Sequence, residues 1–158
     1  MFKGIRKVIC MSSCFFIGHR DAPESLLPAV EAAAEKLVVG EGVTDFYVGS
    51  RGNFDRLAAR AVRSLMARHG GVHLYRVLAY LPAAGEEVPP GFSGTVYPEG
   101  LESVPRRYAI LRANRTMADS CDFLIAYAPY EAGNARRVLD YARRRGRIRI
   151  VEIKEKDQ

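Results

Sequence analysis

The stretch TDFYVGSRGNFDRLAARAV, residues 44–62, reads as a strand, a glycine turn and a helix in direct succession. Aromatic and β-branched residues crowd the first five positions, and Gly49 and Gly52 frame a turn. Leu57, Ala58, Ala61, Val62 and Leu65 then recur at the three- and four-residue spacing of one helical face. Asn53 is expected to cap this helix, which runs to about Arg68. Strand, glycine turn and helix together are the repeating half of an α/β sheet with parallel strands.

The same rhythm extends outward from this stretch. Upstream, VICMSSCFFI at 8–17 is a buried-strand pattern ending at Gly18. Asp21 and Glu24 have capping-box spacing with Pro23 in the first turn. A helix to about Val39 is expected there, its inner face made of Leu26, Leu27, Val30, Ala33, Ala34 and Leu37. Downstream, VHLYRVL at 72–78 is a third strand. Residues 79–104 break the alternation with Pro82, Pro89, Pro90 and Pro98 and several glycines. A loop of that length reads as functional or mobile, a lid or a permanent cover, with a brief extended stretch at 91–97. A helix follows Pro105 to about Ser120, then a strand at 122–127, a helix from Gly133 to about Arg145 and a strand at 147–153. The expected fold is α/β in three layers, with a mainly parallel sheet of five or more strands covered on both faces.

The chain has 158 residues, which one domain over 1–153 accounts for, with 154–158 as a frayed tail. Its net charge of +6 favours anionic partners without choosing among them. Three cysteines, Cys10, Cys14 and Cys121, provide no disulfide framework and no paired metal-ligand spacing, so no metal is expected and a reducing, cytoplasmic setting is. The basic start and the apolar run at 8–17 lack a small-residue cleavage site and read as a strand rather than an export signal. No run approaches about eighteen apolar residues, so no membrane partner is expected.

Ligands of open α/β sheets sit at the carboxyl ends of the strands. Three glycine-bearing turns fall there: Gly18-His19-Arg20-Asp21, Gly49-Ser50-Arg51-Gly52-Asn53-Phe54-Asp55, and Glu131-Ala132-Gly133-Asn134. Glycine lets backbone approach a ligand closely, and helix N-termini offer free N–H groups to an anion. Neither G-x-G-x-x-G nor G-x-x-x-x-G-K-[ST] is present, so this is a different glycine arrangement. Arg20 is placed either for a phosphate or for a bridge to Asp21 or Glu24. His19 reads as a base or phosphate contact or as a packed residue. Asp55 reads as a ribose contact or as an acid favouring its helix dipole. Asn114 is placed to touch a base or ribose, or to hold the 49–55 turn. Arg112 and Arg115 share a neighbouring face, for phosphate or solvent. Glu99, Glu102 and Glu131 are the acid–base candidates by residue type. The arginines of 136–149 read as a solvated face, since no aromatic ladder accompanies them.

Six stretches together resemble the SLOG superfamily: CFFIGHRD at 14–21, FYVGSRGNFDRLAARAV at 46–62, VLAYLP at 77–82, GTVYPEGLESVPRRYAI at 94–110, NRTMADSCDFLIAY at 114–127 and EAGNARRVLDYARRRGR at 131–147. The pattern is most similar to its small DUF1273, or YpsA-like, branch, within the wider group that holds the LOG ("lysine decarboxylase") proteins and the DNA-processing protein A domain. The resemblance implies a Rossmann-like fold and a nucleotide or nucleotide-derived ligand, with a homodimer plausible. It implies a pocket lined by Gly18, Arg20, Gly49, Gly52, Asn53, Asp55, Asn114, Gly133 and Asn134, with Arg112 standing in for an arginine the family carries at the position of Ala113; His19 and Ser50 join the candidates from their places in the first two turns. The phosphoribohydrolase motif P-G-G-x-G-T-x-x-E is replaced here by PYEAGNARRV, which argues against release of a base. No lysine is placed for pyridoxal phosphate chemistry.

The leading expectation is therefore a domain that binds a phosphate-bearing small molecule, a nucleotide or a derivative, as a sensor or regulatory protein. The alternatives are a hydrolase of such a molecule, with Glu99 or Glu131 as its carboxylate, and nucleic-acid binding through the C-terminal arginines.

Overall fold

A computed structural model of the chain describes residues 12–81 and 87–155. The start of the expected first strand (8–11), with Cys10, and the last three residues of the expected tail lie outside the described residues. Six strands, β1 (Ser12–Gly18), β2 (Val43–Val48), β3 (His73–Val77), β4 (Gly94–Val96), β5 (Phe123–Tyr127) and β6 (Arg149–Glu152), form one sheet. Its order is β4-β3-β2-β1-β5-β6 and every neighbouring pair is parallel. The helices are α1 (Leu27–Glu41), α2 (Asn53–Arg68), α3 (Ala109–Ser120) and α4 (Asn134–Arg145). This is the three-layer, Rossmann-like α/β architecture expected from the strand and helix alternation.

The central strands are apolar on both sides because both sides are covered. Cys14 and Phe16 of β1, with Phe46, Ile125 and Tyr127, pack against α1 and α2. Phe15 and Ile17, with Leu124 and Ala126, pack against α3 and α4. Burying a side chain of the size of Phe16 or Leu124 contributes about 1.5–3 kcal/mol, so these two layers carry the fold.

The brief extended stretch expected within 91–97 is an edge strand: Gly94–Val96 pairs with Tyr75–Val77, and the Leu78 N–H donates to the Val96 carbonyl at 2.8 Å. Two expectations are corrected. The capping box at Asp21 and Glu24 does not form. Helix α1 begins only at Leu27, after a 3-10 turn over Glu24–Leu26, because the Glu24 carboxylate is occupied by Asn53 (3.2 Å) and Arg60 (2.7 Å) of α2. Asn53 is the first residue inside α2 rather than its cap, and its amide donates to the Ala22 carbonyl at 2.5 Å.

The topology positions the site. From β1 the chain builds outward through β2, β3 and β4, then crosses back to place β5 on the other side of β1. The loops leaving β1 and β5 therefore diverge toward opposite faces, opening a crevice at the carboxyl ends of these two strands.

Candidate functional site

A cleft of about 670 Å³ lies along this carboxyl edge. It is walled by the loop after β1 (Gly18, His19, Arg20) and the turn after β2 (Gly49, Ser50, Arg51, Asp55). The end of β3 and the segment after it (Arg76 to Leu81), the inner side of α3 (Ile110, Ala113, Asn114) and the start of α4 (Gly133, Asn134, Ala135) complete it. The first turn of α2, through Asp55, and the N-terminus of α4 thus reach the cleft from opposite faces of the sheet.

The glycines have separate physical reasons. A Cβ on Gly18 would fall inside the Phe54 ring, so Gly18 is required by packing beneath the site. Phe54 is fully buried and stacks on Tyr127 with ring centroids 6.0 Å apart, which locks the first turn of α2 onto β1 and β5. Gly52 has φ +137°, and a Cβ there would stand 2.6 Å from the Arg20 Cα. This close approach lets the Asn53 N–H donate to the Arg20 carbonyl at 2.8 Å, joining the first two loops. Gly133 has φ +102° with open space around it, so its reason is backbone conformation at the entry to α4.

Asp55 is half-buried at the cleft floor. Its Oδ2 accepts the Arg51 N–H at 2.8 Å and lies 3.0 Å from where a Cβ on Gly49 would sit. Burial pushes its carboxyl up to about 6, against the opposing pull of the Arg51 N–H. His19 accepts the Asp21 N–H on Nδ1 at 3.1 Å. The same half-buried ring meets the exposed Tyr130 ring edge to face at 4.6 Å.

Gly18, His19, Arg20, Gly49, Ser50, Asp55, Asn114, Gly133 and Asn134 all line the cleft, as the strand-end reasoning expects. Gly52 and Asn53 stand just behind it and hold the loops together. Arg112 is exposed and does not line it: one residue before Ala113, it is turned about 100° away on the helix. Arg115 leans over the Tyr141 ring at 5.1 Å instead. Asn114 makes no bond to the 49–55 turn among the described residues, which leaves its amide to the cleft. Arg20 approaches Asp21 only loosely, at 3.9 Å, with both side chains exposed. Glu99 and Glu131 are exposed and outside the cleft lining. Among the described residues, no cluster of His, Cys, Asp and Glu is arranged to hold a metal ion, and no helix is long and apolar enough to cross a membrane.

Sequence reasoning missed the β3 side of the cleft. Arg76 lines it from the strand, and Tyr80 lines it from the segment beyond. Arg51 and Arg106 both lie over the Tyr80 ring, at 5.2 and 4.0 Å, and the Tyr80 hydroxyl donates to the Arg106 carbonyl at 3.2 Å. The signal was present: VLAYLP follows a strand just as GHRD does, but it carries no glycine before Pro82 and so did not read as a cradle.

The C-terminal arginines are largely spent on the protein's own carboxylates. Arg136 and Arg143 pair with Asp140, Arg143 also with Glu152, Arg145 with Asp119 and Arg149 with Glu41. No family model matches the chain and no curated protein matches it, so the site is identified by its geometry alone.

Proposed function

We propose that the cleft binds a nucleotide or nucleotide derivative and that the protein acts through that binding, as a sensor or regulatory partner. The observation that carries this reading is the meeting of the α4 N-terminus with the glycine turns after β1 and β2 at one cleft of about 670 Å³ at the sheet's switch point. Free N–H groups and the dipole at a helix N-terminus favour a phosphate. A cleft of this volume falls within the range of small-molecule sites. The His19–Tyr130 pair suits the flat face of a base. The resemblance of the GHRD, GSRGNFD and NRTMADSCDFLIAY stretches to the SLOG superfamily supports the same ligand class.

The test is thermal unfolding of the full chain with AMP and ADP, against adenosine and adenine as phosphate-free controls. A nucleotide present at a hundred times its Kd raises stability by about 2.7 kcal/mol. Stabilisation by the nucleotides and not by the controls is the expected result. If millimolar nucleotide leaves the unfolding temperature where it was, the reading fails.

One observation favours a second reading, hydrolysis of such a ligand. The Asp55 carboxyl, raised to about 6 inside the cleft, is in the range suited to proton transfer near neutral pH. Turnover of a bound nucleotide, abolished in Asp55→Asn with binding retained, would select this reading over simple binding. Glu99 and Glu131 lie outside the cleft lining, which favours Asp55 for this role.

A further inference from the structure

The cleft has a basic wall on its β2–β3 side. Arg51 comes from the turn after β2, Arg76 from β3, and Arg106 from the 3-10 turn before α3. Arg51 and Arg76 line the cleft, and Arg106, outside that lining, packs with Arg51 on the Tyr80 ring. None of the three has a carboxylate partner among the described residues, whereas the arginines of α4 and β6 mostly do. Arg76 is half-buried on a strand flanked on both sides. With no carboxylate beside it among the described residues, Arg76 can meet an anion brought into the cleft. The aromatic ring holds Arg51 and Arg106 without neutralising them.

This wall stands across the sheet from the start of α4. From β3 to β5 there are three strand spacings, roughly 14 Å, and the arginine side chains shorten the gap by reaching inward. One phosphate group does not satisfy both ends. We propose that the ligand is a nucleotide carrying two separated phosphate groups, one at the α4 N-terminus and the second at the wall lined by Arg51 and Arg76; this rests on the nucleotide-binding reading above. Two sources share that chemistry, a nucleoside bisphosphate and a phosphorylated dinucleotide.

Titration calorimetry on the full chain at fixed ionic strength separates them. One pair of probes is adenosine 3′,5′-bisphosphate against ADP, which differ in the separation of their phosphates. The other pair is NADP against NAD, which differ by one remote phosphate. In at least one pair the first member is expected to bind about tenfold tighter, and which pair shows it identifies the source. Arg51→Gln and Arg76→Gln are each expected to cut that ratio below about threefold. Arg51 lies in an exposed turn, so its variant keeps the test valid if Arg76→Gln fails to fold. Equal binding within both pairs overturns the proposal while leaving nucleotide binding intact, and so does an advantage that survives both substitutions. Absence of binding by all four probes and by AMP removes the nucleotide reading itself, and this inference with it.

Discussion

A methyl group at Gly18 would occupy the space of the Phe54 ring, and Phe54 has no room to yield because it is fully buried between β1 and Tyr127. Gly18→Ala is expected to cost about 1–3 kcal/mol in urea denaturation through overpacking. Phe54→Ala alone costs about 3–5 kcal/mol. The double variant should lose less than the sum, because the second change relieves the clash created by the first. Strict additivity would show that the glycine serves the ligand and not the core. Asp55 makes a pH-dependent contribution of the opposite kind to a salt-bridged acid. Its carboxyl moves from 3.8 in the unfolded chain to about 6 when folded, so the native state holds the proton more tightly. Folding takes up a proton between these values, and stability falls as pH rises through that window. Above pH 6 the burden is complete, at about 3 kcal/mol as an upper bound. Asp55→Asn is expected to be more stable than the native chain by about 1–3 kcal/mol at pH 7.5, with the gain vanishing near pH 4. A gain of the same size at both pH values would place the effect outside titration.

At the scale of elements, the first two loops are held as one piece. Asn53 at the start of α2 donates from its side chain to the Ala22 carbonyl and to Glu24, and from its backbone to the Arg20 carbonyl. Asn53→Ala keeps the backbone bond and loses the other two. A stability loss of about 1–2 kcal/mol is expected, read as a lower unfolding temperature. The nucleotide affinity should fall with it, since α1 and α2 then lose their common anchor at the cleft. The same contacts explain why the sequence motif at Asp21 and Glu24 misleads. Capping-box spacing describes what a helix start can do alone, and here Glu24 has stronger partners in α2, including the Arg60 guanidinium at 2.7 Å.

At the scale of the whole molecule, the net charge of +6 divides into two populations. The arginines of α4 and β6 form a belt of mostly exposed ion pairs, while those at the cleft wall stand without carboxylates among the described residues. Arg143→Gln and Arg145→Gln should each lower stability by only about 0.2–1 kcal/mol, and less at high salt. Retardation of duplex DNA in a gel should be the same for these variants as for the native chain. A clear loss of retardation would revive nucleic-acid binding through that face.

The alternation of strands and helices was legible from residues 44–62 outward because apolar periodicity and glycine turns are local properties of the chain. They were enough for a parallel sheet with ligand-bearing turns at its carboxyl edge, and for nine of the residues lining the cleft. A brief extended stretch at 91–97 was legible, but its pairing with β3 was not, since three residues carry no pattern that names a neighbour. Arg51, Arg76 and Arg106 were equally hidden as a group. They are separated by dozens of residues, and what joins them is the strand order that sets β3 two places from β1. Only the assembled core gives Gly18 and Gly52 their packing reason, because Phe54 and the Arg20 backbone fill the space their side chains would need.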